Sequence, residues 1–396
     1  MRILFYNARL VLPNEIRRGT LCVNDGRIAS ISYSDATDGA YDRKIDCGGQ
    51  YLAPGFVELH THGAGGADFM DATPDAFETA LQTHLAHGTT TVLPTTLAAS
   101  KEEILRSIDA FRTAKAQFSG RVPHLPGLHM EGPYLCAQQC GAINPVYIRD
   151  PEPAEYEMLL DYGRDAIRRW TLAVERTGAE RFVSRLCEEG ILPSVGHSNA
   201  EYAQVLRAWQ SGVRHVTHLF SAMSSVVRRG GFRHSGVLES AFCIPQMSVE
   251  IIADGCHLPP ELLQMVYRLK GADKTVLTCD SMRCAGQDVR ESVLGSLQSG
   301  QRVIIEDGVA KMPDRTAFAG SIALDDRLVR VMVQKAGVPL VDAVRMMTLT
   351  PAEVLGISGE TGSLQTGKCA DLVLFDEQIQ VLGVMVSGTG LTGSMQ

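Results

Sequence analysis

Short apolar runs recur through the middle of the chain, several closing on His, Glu or Asp and alternating with longer stretches of helical periodicity. The runs at 56–60, 90–93, 126–131, 191–197, 213–218, 247–254 and 275–280 read as strands buried on both faces, with a weaker eighth at 318–321. Apolar residues at three- and four-residue spacing predict helices over 73–87, 101–118, 166–189, 199–211, 260–269 and 324–336. Strands alternating with helices argue for a parallel α/β sheet, and seven or eight such units fit a closed (β/α)8 barrel of the TIM type. Both ends of the chain change to short alternating runs with turns, such as Asn24-Asp25-Gly26 between two apolar segments. The pattern therefore predicts a small β-sandwich domain built from 1–52 and 359–396, around a catalytic barrel over 53–358. A hairpin over 301–312, turning at Asp307-Gly308, is expected as a late insertion in the barrel.

Composition narrows the function classes. The 396 residues are 45% hydrophobic and 21% charged, an ordinary globular balance. With 37 basic against 45 acidic residues the net charge is −8, which gives no general attraction to nucleic acid or to anionic membrane. No run reaches the ~18 apolar residues of a membrane span, and the N-terminal segment lacks the apolar core and cleavage site of a signal peptide. The ten cysteines are scattered without a C-x-x-C, which suits buried thiols in a reducing cytoplasm better than disulfides or a structural metal.

The chemistry gathers where strands end. In Phe56-Val-Glu-Leu-His-Thr-His62 the two imidazoles are two residues apart, so His60 and His62 share one face of a strand and can reach one ion together. Glu131 follows Gly-Leu-His-Met, His197 follows Ser-Val-Gly, and His218 ends His-Val-Thr-His. His215 cannot share a face with His218 on a regular strand and is read as structural. Glu131, His197 and His218 form a three-ligand set with an open position, the pattern of a catalytic metal. Asp280 closes the apolar run Val276-Leu-Thr-Cys, where a carboxylate is costly unless it works or is paired, and reads as general base and then general acid. His257, just past the sixth predicted strand, is placed to steady a substrate oxygen, while Asp254 reads as a turn residue before Gly255.

The ordered set His60-Thr-His62-Gly, Gly88-Thr-Thr-Thr, Gly127-Leu-His-Met-Glu-Gly-Pro-Tyr, Gly196-His-Ser, Thr217-His-Leu-Phe-Ser-Ala-Met, Ala253-Asp-Gly-Cys-His, Asp280-Ser-Met, Ala319-Gly-Ser and Ala370-Asp-Leu-Val-Leu-Phe-Asp resembles the N-acetylglucosamine-6-phosphate deacetylases of the amidohydrolase superfamily. The resemblance implies a barrel enzyme, a homodimer in the cytoplasm, that hydrolyses an amino-sugar acetamide to the free amine and acetate. It implies one or two divalent ions, zinc or iron, with Glu131, His197 and His218 holding the main one and His60 and His62 a second. It implies Asp280 as acid/base and His257 as a substrate contact. It also carries substrate contacts onto Ala142, Ser221, Ala222, Ala319, Gly320 and Ser321.

The departures from the family pattern fall where a sugar phosphate should bind. Ser221 stands where relatives usually have Asn, and Ile143 stands where they have a phosphate-contacting His. Arg229 matches the family arginine that reaches phosphate, in some members across the dimer interface, with Arg228 and Arg233 beside it. Three guanidinium groups could replace a lost imidazole, since each binds phosphate bidentately. These departures keep open an unphosphorylated N-acetyl hexosamine, or N-acetylgalactosamine 6-phosphate, as the substrate.

Overall fold

A computed structural model describes residues 1–34, 37–389 and 392–393. Its centre is an eight-stranded, all-parallel sheet. The strands are β1 (Phe56–Thr61), β2 (Thr89–Thr96), β3 (Leu128–Glu131), β4 (Ile167–Leu172), β5 (Leu192–Val195), β6 (His215–Val216), β7 (Ser248–Ile252) and β8 (Thr275–Thr278), adjacent in that order. After them in turn come helices α1 (Pro74–Ala86), α2 (Lys101–Phe118), α3 (Pro153–Gly163), α4 (Ala179–Glu188), α5 (Tyr202–Ser211), α6 (Val237–Cys243), α7 (Pro260–Lys270) and α8 (Asp325–Gln334). The result is a nearly closed (β/α)8 barrel. Local signals start the helices: Thr73 accepts from Ala76 N ahead of Pro74 in α1, and Ser100 and Glu103 form a reciprocal capping box on α2.

The sheet does not close by a backbone ladder. β1 and β8 end the strand order, and among the described residues they meet through the isolated bridge Thr61–Ser281, the Asp280 N–H and Thr278 hydroxyl donating to the His60 carbonyl, and the side chain of Glu58. The Glu58 carboxylate accepts from His60 N at 2.7 Å, from Cys279 N at 2.8 Å and from Thr278 Oγ1 at 2.5 Å. It thus satisfies backbone donors on both sides of the seam, where an unpaired buried N–H would be destabilising.

The predicted helix over 166–189 is instead β4 followed by α4. Arg168 and Arg169 break the apolar run, yet Arg169 is fully buried inside the barrel because Glu250 pairs with it. The strand expected at 318–321 does not form; isolated bridges Lys311–Phe318 and Ser281–Ser321 stand there. Helices α3 and α6 are absent from the expected set, α3 being weakly patterned and α6 only 7 residues long.

The two ends of the chain form a seven-stranded sheet. Strand Arg2–Val11 pairs with Ile16–Asn24, which pairs with Arg27–Ser32; its other edge takes Arg43–Asp46 and Tyr51–Pro54, and Tyr51–Pro54 pairs with Leu372–Phe375, which pairs with Val381–Met385. Asp25 and Gly26, at φ 47° and 81°, supply the left-handed turn that the Asn-Asp-Gly signal predicts. Ile3, Phe5, Leu21, Val23, Leu52, Leu372 and Met385 give this sheet its own core. The hairpin at 301–312 is present, with Glu291–Leu294 added as a third strand. No helix among the described residues is long and apolar enough to cross a membrane. All ten cysteines are free; Cys187 and Cys243 are exposed, not buried.

Candidate functional site

The carboxyl ends of the strands open into a cavity of about 300 Å³ lined by His62, Glu131, His197, His218, His257 and Asp280 among others. His197, His218 and Asp280 have φ of 47°, 29° and 44°, so each leaves its strand through the left-handed region. Non-glycine residues adopt this region rarely and at a cost, and here the turn directs titratable side chains into the barrel mouth.

Two ligand clusters meet there: Glu131, His197 and His218, and beside them His60, His62 and Asp280. Glu131 Oε1 is 3.1 Å from both His197 Nε2 and His218 Nε2 and 3.3 Å from His60 Nε2; its Oε2 is 3.2 Å from His62 Nε2. Asp280 Oδ1 lies 3.3 Å from His62 Nε2 and 3.5 Å from His60 Nε2.

These residues fit a cation. His197 Nδ1 faces the Gln139 carbonyl at 2.7 Å, an acceptor only, so Nδ1 carries the proton and the Nε2 lone pair points at Glu131 and, 3.1 Å away, at His218 Nε2. His60 Nδ1 likewise donates to Glu250 at 2.8 Å, and His60 Nε2, fully buried, has no hydrogen-bond partner among the described residues. Acceptors facing acceptors need positive charge between them, supplied by protons or by a metal. Electrostatics agree. Burial opposes a charge on His62, but the Asp280 and Glu131 carboxylates push its pKa up to about 9. Burial likewise opposes ionisation of Glu131, yet the surrounding imidazoles, His60 foremost, hold it well below the carboxylate range, and His60 and His62 lower Asp280 in the same way. Imidazole and carboxylate donors suit several divalent ions.

A second layer orients the first. Glu250, in the middle of β7, takes His60 Nδ1 and the His218 backbone N–H on Oε1, and Arg169 Nη1 (2.7 Å) and His215 on Oε2. Arg169 also reaches Ser194, Thr217 and the Leu59 carbonyl. His257 donates from Nδ1 to Asp254 Oδ2 at 2.8 Å, and Asp254 Oδ1 accepts the N–H groups of Cys256 and His257. Asp254 is therefore more than a turn residue: it fixes the imidazole with Nε2 free to face the cavity, and Phe318 packs edge-on against the same ring at 4.9 Å. Sequence reading passes over Arg169, Glu250 and Glu58; the available signal is a charged residue inside an otherwise apolar strand.

Ala142, Ser221, Ala222, Ala319 and Gly320 line the cavity, as does Ile143. Ser321 does not; it is fully buried and its hydroxyl accepts from Ala323 N. Arg228, Arg229 and Arg233 lie outside the lining, on an exposed hairpin of Val227–Arg229 and Phe232–His234. Arg229 pairs there with Glu201, and Phe232 is 77% exposed. Among the described residues lining the cavity there is no Lys or Arg.

The amidohydrolase family model matches residues 51–390. N-acetylglucosamine-6-phosphate deacetylase of Haemophilus influenzae is 30% identical over 389 residues, 98% of this chain and 99% of that protein. The crystal structure of the Pasteurella multocida enzyme of the same name superposes with a TM-score of 0.91 at 30% identity, covering 99% of this chain and 100% of the other. A Mycobacterium smegmatis enzyme of that name, solved as a point mutant in complex with N-acetyl-D-glucosamine-6-phosphate, gives a TM-score of 0.88 at 31% identity and 98% coverage of both chains.

Proposed function

The chain belongs to the amidohydrolase family, among its N-acetylglucosamine-6-phosphate deacetylases, and on that premise we propose that it hydrolyses the acetamide of N-acetylglucosamine 6-phosphate to glucosamine 6-phosphate and acetate. The observation that carries the reading is the position of Asp280, its Oδ1 at 3.3 Å from His62 Nε2, beside the Glu131–His197–His218 cluster at the floor of the cavity. Glu131, His197 and His218 would hold a divalent ion, zinc or iron, which would polarise the amide carbonyl and acidify water. His60 and His62, with Asp280, are the residues for a second ion.

The remaining steps belong to side chains. Asp280 is held ionised, so it takes a proton from the attacking water and returns it to the departing nitrogen, which leaves as the amine. His257, fixed by Asp254, steadies the carbonyl oxygen as charge develops on it. Ala142, Ser221, Ala222, Ala319 and Gly320 shape the sugar pocket. Since no Lys or Arg among the described residues lines the cavity, the phosphate is met by the exposed arginine hairpin of a second copy, with Arg229 as its principal contact and Arg228 and Arg233 adding charge. The enzyme on this reading is a cytoplasmic homodimer whose catalytic barrel spans 53–358 and whose sheet unit is built from 1–52 and 359–396.

A second reading keeps the chemistry and drops the phosphate. Ile143 and the absence of Lys or Arg from the described lining favour it. Acetate release from N-acetylglucosamine 6-phosphate, N-acetylgalactosamine 6-phosphate and N-acetylglucosamine, side by side with metal-reconstituted protein, separates the two. A kcat/KM at least about tenfold higher for N-acetylglucosamine 6-phosphate supports the main reading, a factor worth about 1.4 kcal/mol. Equal values, or preference for the free sugar, support the second.

A further inference from the structure

Three buried side chains behind the barrel wall form a cluster that the hydrolytic site does not use. His84 lies in the last turn of α1, Cys279 directly follows β8, and Asp325 opens α8. Candidate ligand atoms of the three lie within 4.8 Å of one another, all are fully buried, and none lines the cavity. Strand alternation separates the clusters: Asp280 turns into the barrel mouth, so its neighbour Cys279 turns outward to the helices.

Two polar atoms are left over among the described residues. His84 Nε2 is engaged with Thr61 Oγ1 at 2.9 Å, while His84 Nδ1 has no partner. Asp325 Oδ2 accepts from Thr89 Oγ1, while Asp325 Oδ1 meets no donor; burial and the neighbouring Glu58 carboxyl hold Asp325 well above the ordinary carboxylate range. Orphaned buried polar atoms are costly, so two of them beside a thiol call for an occupant. Thiolate, imidazole and carboxylate together are a ligand set for zinc, and the thiolate in particular selects a softer ion than the nitrogen and oxygen donors of the barrel mouth.

We propose that His84, Cys279 and Asp325 hold a divalent ion of the zinc class that ties α1 and α8 to the barrel wall beside the β1–β8 seam. The location gives the ion a task. The seam carries the isolated Thr61–Ser281 bridge, the Asp280 N–H and the Thr278 hydroxyl on the His60 carbonyl, and the Glu58 carboxylate, which accepts the Cys279 N–H itself. An ion ligated from a helix on either side of the seam cross-links the segments that lack a ladder. Binding releases the thiol proton to solvent. This site is independent of the proposed substrate and reaction.

Cobalt tests it, because the hydrolytic centre offers only nitrogen and oxygen donors. A thiolate-to-cobalt charge-transfer band therefore reports the proposed site alone. The chain is produced in zinc-depleted, cobalt-supplemented medium, and its absorption spectrum and ion content are measured. The wild-type chain is expected to show the band. Cys279→Ser loses it together with one ion per chain, and a Cys187→Ser/Cys243→Ser double variant, at the two exposed thiols, keeps it. Where Cys279→Ser does not fold, Asp325→Asn reads the same loss. A cobalt-loaded wild-type chain without the band, or a band that survives Cys279→Ser, overturns the proposal.

Discussion

Arg169 Nη1 and Glu250 Oε2 meet at 2.7 Å, both fully buried, directly beneath the imidazoles of the barrel mouth. An ion pair so placed adds little net stability, because desolvation offsets most of its attraction. Its effect is positional: the other oxygen of Glu250 holds His60 by Nδ1 and His218 by its backbone N–H. Glu250→Gln should lower stability by about 3–5 kcal/mol, since Arg169 is left uncompensated. It should also weaken metal retention about 10- to 100-fold. Denaturant unfolding and ion content after dialysis check both; a variant that holds its metal as the wild type does would show that Glu250 does not orient the ligands.

Asp254→Asn keeps an oxygen for the Cys256 and His257 N–H groups but loses the acceptor for His257 Nδ1. The ring is then free to turn. The expected outcome is a fall in kcat of up to about 10²-fold with metal content and KM little changed. A KM effect alone would mean that His257 only binds substrate.

Arg229→Ala should raise KM for the phosphorylated sugar about 10- to 100-fold, the worth of a charge-assisted hydrogen-bond pair, and leave the free sugar unaffected. If the hairpin serves a neighbouring copy, mixing Arg229→Ala with Asp280→Asn subunits restores activity, because one composite site regains both residues. No recovery on mixing, with dimers present, would place the phosphate contact within a single copy.

His124 links the barrel to the terminal sheet, with Nε2 3.1 Å from both Asp371 Oδ1 and Ser387 Oγ. Burial opposes its charge, but the Asp371 carboxylate more than offsets this and raises its pKa above the ordinary 6.5. A raised folded-state pKa means that its contribution to stability is complete below the unfolded value of about 6.5 and is lost as pH climbs through the raised value. His124→Gln should therefore fall further below the wild type in unfolding midpoint at about pH 6 than at about pH 9. A gap that is constant or widens with pH would contradict the ion pair.

What the sequence made legible follows from how buried strands advertise themselves. Apolar runs closing on His62, Glu131, His197, His218 and Asp280 stand out, because an ionisable group at the end of such a run has few structural reasons to be there. β4 stayed hidden for the opposite reason: Arg169 sits inside the strand, and only a carboxylate 81 residues away explains how it can be buried. Glu250 and Glu58 are invisible on the same grounds, their partners being set by barrel closure and not by local spacing. The arginine hairpin could be identified as basic from sequence, but its lying outside the cavity emerges only in three dimensions.

The central claim, that Asp280 transfers protons beside a metal cluster built on Glu131, His197 and His218, is tested most directly by measuring acetate release and ion content together on Asp280→Asn and the wild type. The account predicts that the variant keeps the ion at Glu131, His197 and His218 while kcat falls about 10²- to 10⁴-fold. Turnover within a few-fold of wild type, with that ion in place, would remove Asp280 from the proton-transfer role.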